Sequence, residues 1–174
     1  MSDRLIIDTH DHVAHVRLNR PDKLNALDMP MFEALVAAHD HVAAMDGIRA
    51  VVVSGEGASF CSGLDVMSLM QSPDLAMRAF EPIDGTPCNF AQFAAMGLGR
   101  LPVPVIAAVH GRCYGGGLQI ALGADMRIVA PDAELSVMEI RWGIIPDMAG
   151  SQLWRHTVRE DIIRELIYTN RMFT

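Results

Sequence analysis

The sequence is short of lysine, cysteine and aromatic residues, and it has no long apolar run. Lys23 is the sole lysine among 14 basic residues, the arginines are scattered, and 21 acidic residues leave a formal net charge of −7. That balance argues against a nucleic-acid binder and against a protein held on anionic membranes by charge. Cys61, Cys88 and Cys113 lie far apart, which excludes a disulfide framework and a CxxC metal or redox pair. The most apolar stretch, Leu101 to Val109, is too short for a bilayer and is broken by Pro102 and Pro104. The opening MSDRLIIDTH shows no basic stretch followed by an apolar run, so no signal peptide is visible and a cytoplasmic protein is expected.

What is present is core-forming. Of 174 residues, 51% are hydrophobic and 20% charged, enough for one domain over residues 1–174 with a sizeable interior. Arg4 to Asp8 and Val13 to Leu18, split by a polar turn, read as a hairpin. Pro30 opens a helical pattern that runs toward Gly47. Ala50 to Ser54 and Pro104 to His110 read as buried strands, Asp125 to Ala130 as a further strand, and Asn89 to Leu98 and Leu118 to Leu122 as helices. Pro73 to Pro87 mixes charge, Pro and Gly and is expected to be a mobile excursion. The segment after Gly150 is expected to be helical through Tyr168, with Glu160 to Tyr168 strongly apolar. Strand, Gly-rich loop, helix and strand in repetition give an α/β layout.

Two Gly-rich loops each follow a Val-rich strand: Gly55 to Asp65 (GEGASFCSGLD) and Tyr114 to Gln119 (YGGGLQ). Glycines at a helix start expose backbone N–H groups to a ligand and suit a developing negative charge. Tight helix–strand packing is the other reading of the triple glycine. Neither a Walker loop nor GxGxxG can be laid on it.

Four blocks, LNRPDKLNALD (Leu18 to Asp28), GEGASFCSGLD, AAVHGRCYGGGLQIALGADMRI (Ala107 to Ile128) and MEIRWGIIPDMAG (Met138 to Gly150), resemble in order and spacing the signatures of the crotonase family of enoyl-CoA hydratases and isomerases. The resemblance implies a ββα spiral and an enolate of a CoA thioester, held by the backbone N–H groups of Leu64 and Gly116. It implies a CoA site at Lys23, Leu24, Ala26, Ser62, Leu64, Asp65, Val66, Met67 and Gly116, coenzyme A entering as part of the substrate and no permanently bound cofactor or metal. Lys23 suits a CoA phosphate or, equally, a solvated surface. The family's usual C-terminal helical segment is missing from the chain; with it, the resemblance implies a homotrimer or hexamer.

Hydratases of the family use two glutamates. Here the second is Glu139, and the first position holds Gln119, whose amide can orient a water but cannot take its proton. Isomerisation of a double bond is therefore expected over hydration, with Glu139 moving the proton; a surface charge beside Arg141 is the alternative for Glu139. Asp147, where hydratases tend to carry glycine, has two readings: a second acid–base group or nucleophile, or a helix N-cap. As a nucleophile it would point to acyl-CoA hydrolysis or dehalogenation. A non-catalytic acyl-CoA binder is the remaining reading. Ser62 lacks a GxSxG setting and reads as structural. The histidines read as solvated, and Cys61 and Cys113 as small apolar residues lining the pocket.

Overall fold

A computed structural model describes residues 3–71, 74 and 77–174. Strands β1 (Leu5–His10) and β2 (Val13–Leu18) form the expected hairpin, paired antiparallel, with Asp11 and His12 both at positive φ in the turn. That backbone matches the twist of the flanking strands. β3 (Ala50–Gly55), β4 (Val105–Val109) and β6 (Met126–Val129) continue the sheet in parallel, in the order β1-β2-β3-β4-β6. Alternation sets the buried face: Ala14, Val51 and Val105 lie in register, as do Val16, Val53 and Ala107, and all six are buried. β6 is the edge, and Met126, Ile128 and Val129 are exposed on it.

Helix α1 (Met29–Ala43) starts where Asp28 accepts a hydrogen bond from Met31 N at 2.9 Å, with Pro30 in its first turn. Its buried face, which includes Met31, Phe32, Leu35 and Val42, packs on β1 and β2 and on α3 (Phe90–Met96). α3 carries a reciprocal cap between Asn89 and Gln92. Between them lies the short α2 (Val66–Gln71). Residues 73, 75 and 76 of the expected excursion lie outside the described residues. Its described part is anchored, since Arg78 donates to Glu33 on α1 at 2.6 Å and Pro82 bridges to Asn89.

A second, two-stranded sheet pairs β5 (Arg112–Tyr114) in parallel with β7 (Glu134–Ser136). From β5 the chain enters α4 (Gly116–Leu122), which packs on α3. The expected helix from 150 to 168 is two helices, α5 (Gly150–Leu153) and α6 (Glu160–Thr169), because Arg159 is extended at the start of the second. Nor is α6 strongly apolar: three acids and one arginine share its ten residues, and Leu166 is its buried residue, so it is amphipathic. No helix among the described residues is long and apolar enough to cross a membrane.

Candidate active site

The two Gly-rich loops are stitched into one body. Cys61 N donates to Arg112 O and Tyr114 N to Cys61 O, both at 3.0 Å, so residue 61 adds itself to the free edge of β5. On its other side the same stretch meets the first loop: Ser62 N donates to Leu24 O, Leu27 N to Gly63 O and Asp65 N to Leu27 O. Leu24 and Asn25 adopt positive φ there, and Asn25 is fully buried. Its Nδ2 donates to Glu56 O and Ser59 O at 2.9 and 2.8 Å, and its Oδ1 accepts from Arg20 N at 2.8 Å. One amide thereby locks three backbone segments.

This stitching decides where two N–H groups point. The bonds from Leu27 go to the residues on either side of Leu64, so Leu64 N–H faces away from Leu27, and it has no hydrogen-bond partner among the described residues. Gly116 N is a first-turn donor of α4 and is likewise without an acceptor among them. Gly63 lies against this helix start; a Cβ on it would sit 2.9 Å from Tyr114 O and 3.8 Å from Gly116 N. Leu64 and Gly116 both line one cavity of about 300 Å³, together with Ser62, Tyr114, Glu139, Arg141, Trp142 and Ile144.

Glu139 opens a 3-10 turn (Glu139–Trp142) and is buried, which excludes its reading as a surface charge. Its Oε1 accepts from Gln119 Nε2 at 2.7 Å, while its Oε2 is buried with no hydrogen-bond partner among the described residues. Gln119, fully buried on α4, also accepts through Oε1 from Gly150 N at 2.8 Å. Burial raises the pKa of Glu139; adjacent backbone N–H dipoles and the Gln119 amide oppose it, and Asp147 adds to it through space. Asp147 is half-buried, and burial raises its pKa as well. The N-cap reading of Asp147 fails: the cap position of α5 belongs to Ala149, in the left-handed region, and no side chain caps that helix.

The structure brings Ser62, Leu64, Gly116 and Glu139 to the cavity wall. Lys23 is exposed beside it, and its carbonyl accepts from Ser62 Oγ at 3.4 Å. Leu24 and Ala26 belong to the stitched loop. The Asp65 carboxylate is engaged elsewhere, with Arg20 at 2.8 Å and with Ser68 N in the first turn of α2, and Val66 and exposed Met67 start that helix. Cys61 and Cys113 do not line this cavity; both are fully buried in the core beneath it, and burial pushes the Cys61 thiol up to about 12. Arg141, Trp142 and Ile144 were missing from the expected wall. They share the block of Glu139, but nothing in their residue types distinguishes a cavity wall from a core. Gly150, whose N–H anchors Gln119, was also missing and carries no side-chain signal.

The enoyl-CoA hydratase/isomerase family model matches residues 8–174. Among curated relatives, the chain is 35% identical over 167 residues to the mitochondrial Delta(3,5)-Delta(2,4)-dienoyl-CoA isomerase of Rattus norvegicus, covering 92% of this chain and 50% of that protein. The structure of Bacillus anthracis enoyl-CoA hydratase superposes with a TM-score of 0.83 at 28% identity, covering 98% of this chain and 64% of that one. A Thermobifida fusca YX protein solved in complex with acetoacetyl-CoA gives a TM-score of 0.79 at 30% identity, covering 99% and 68%. The chain spans about half the length of the curated relatives it matches first. The order of the four blocks, the mixed sheet and these matches agree: the chain belongs to the enoyl-CoA hydratase/isomerase family.

Proposed function

We propose that this chain holds the active site of an isomerase that moves double bonds in enoyl- or dienoyl-CoA thioesters. One observation carries the reading: Leu64 and Gly116, whose backbone N–H groups have no partner among the described residues, line the same cavity as a buried carboxylate with one oxygen likewise without a partner among them. The amides would take the thioester oxygen as removal of a proton turns it into an enolate oxygen, and fixed donors of this kind are strong transition-state stabilisers. Glu139 Oε2 would take the proton from carbon, and the proton would return at another carbon of the conjugated chain. A carboxylate with a raised pKa suits a group that both takes and gives a proton.

Isomerisation is favoured over hydration because position 119 supplies no second base. Both ends of the Gln119 amide are engaged, one with Glu139 and one with Gly150 N, so it is not free to activate a water. Asp147 is half-buried and acts on Glu139 through space, and although it is not among the residues lining the cavity it would be the second carboxyl group of the site. The name of the rat relative, a dienoyl-CoA isomerase, points the same way.

The test is a panel of 2-enoyl-, 3-enoyl- and 3,5-dienoyl-CoA, followed for bond migration, hydration and release of free CoA. Bond migration without CoA release is expected. Hydration of crotonyl-CoA faster than any migration would overturn the preference, and CoA release would favour hydrolysis through Asp147.

A further inference from the structure

We propose that Gln119 is a positioning residue: it holds Glu139 by Oε1, reserves Oε2 for proton transfer, and ties that carboxylate to the segment carrying Asp147. The inference rests on the isomerase reading for its kinetic consequence, but its geometric part stands apart from it.

The orientation of the amide follows from its two neighbours. Gly150 N–H can only donate, so the atom facing it at 2.8 Å is the amide oxygen. The NH₂ group then faces the Glu139 carboxylate, which accepts at 2.7 Å. A flipped amide would set donor against donor and acceptor against acceptor. Gln119 is 1% exposed, so water cannot replace either bond, and the arrangement is effectively unique.

Two consequences follow. The carboxylate cannot turn about its terminal torsion without losing Oε1 from the amide, so its two oxygens are inequivalent and the unpartnered one is the working atom. The second bond lands on Gly150, three residues beyond Asp147, and closes a bridge from the 3-10 turn through α4 to the start of α5. Glu139 and Asp147 are thus held in relation to each other through the Gln119 side chain. The site is built for this approach: a Cβ on Gly150 would sit 2.8 Å from Gln119 Oε1 and 2.8 Å from the Pro146 Cβ. A glutamate at position 119 could still accept from Gly150 N–H, but it would oppose a second carboxylate to Glu139, and the two would have to share a proton.

The titratable groups facing Glu139 are Asp147, acting through space, and Arg141 and Tyr114, which line the same cavity. The experiment compares wild type with Gln119→Met, Gln119→Glu and Gly150→Ala. The Glu139 carboxylate is titrated by carbon-13 NMR without substrate, and kcat and KM are measured against pH on the enoyl-CoA substrate the panel identifies. Gln119→Glu should raise the Glu139 midpoint by about one pH unit or more and carry the acid limb of kcat/KM with it. Gln119→Met should lower kcat by about 10²-fold with little change in KM. Gly150→Ala, which keeps the glutamine and pushes on its oxygen, should move both readouts the same way and less. If Gln119→Met does not fold, the other two variants decide. An unmoved Glu139 midpoint in Gln119→Glu and Gly150→Ala overturns the proposal. A moved midpoint in a protein without isomerase turnover upholds the positioning role and removes the isomerase reading instead.

Discussion

In the proposed reaction, chemistry and stability make opposite demands on Glu139. A buried carboxyl with one unpartnered oxygen favours its neutral form, whereas proton abstraction needs the ionised one. Glu139→Gln should lower isomerase turnover by about 10²–10⁴-fold, measured by bond migration under saturating substrate. The same change should stabilise the fold at neutral pH. An acid whose pKa is higher folded than unfolded binds its proton more tightly when folded. Its contribution is complete below the ordinary value near 4.5 and declines as pH rises through the folded value. Melting temperatures of wild type and Glu139→Gln should therefore converge toward pH 4 and separate above it, the variant being the more stable. Parallel melting curves across that range would show that Glu139 is not strained by burial.

At the scale of elements, the site depends on how closely α4 approaches the strand-like stretch at Cys61. A Cβ on Gly117 would lie 2.5 Å from Cys61 O and 2.7 Å from the Cys61 Cβ, against backbone and a buried side chain that cannot yield. Gly117→Ala should cost about 1–3 kcal/mol, read by urea denaturation, and should displace the neighbouring Gly116 amide enough to lower kcat more than KM. A Cβ on Gly116 would instead meet Leu27 Cδ1 and Met148 Sδ at 2.8 Å, the ends of flexible side chains. The triple glycine therefore serves both readings open to it in the sequence: tight packing at 117 and an unpartnered N–H at 116.

This pairing shows what a sequence reading reaches. The hairpin, α1, the buried strands and the glycine loops were legible because alternation, proline placement and turn residues are local signals. The break between α5 and α6 was not, since no proline or glycine marks Thr157 to Arg159. The ladder of β5 and β7 was hidden too, because three-residue strands 22 positions apart have no periodicity to read. Glu139 and Gln119 were visible as motif positions, but that one side chain holds the other is a tertiary fact with no linear trace.

Across the whole molecule, a cluster of charges joins parts that no single sheet connects. Asp28, the cap of α1, receives Arg4 from the chain's start at 2.6 Å and Arg20 at 3.5 Å; Arg20 also reaches Asp65, the cap of α2, at 2.8 Å. Burial pushes the Asp65 pKa up, but the Ser68 N–H and Arg20 outweigh it and leave it below the usual value. Arg20 and Asp28 are nearly buried, so losing one partner strands the other. Arg20→Met should cost about 3 kcal/mol, at the lower end of such losses because Arg4 still pairs Asp28. Equilibrium unfolding in urea measures it, and a loss within experimental error would show that the cluster is dispensable.

In the proposed site Leu64 would offer the ligand its peptide group, aimed by the hydrogen bonds that tie its neighbours Gly63 and Asp65 to Leu27. Any amino acid except proline possesses that group. Exchange of the leucine for another side chain of similar bulk would leave the chemistry in place, and a protein could drift at this position for a long time without losing its reaction. Importance here is recorded in the path of the main chain and not in the identity of a letter.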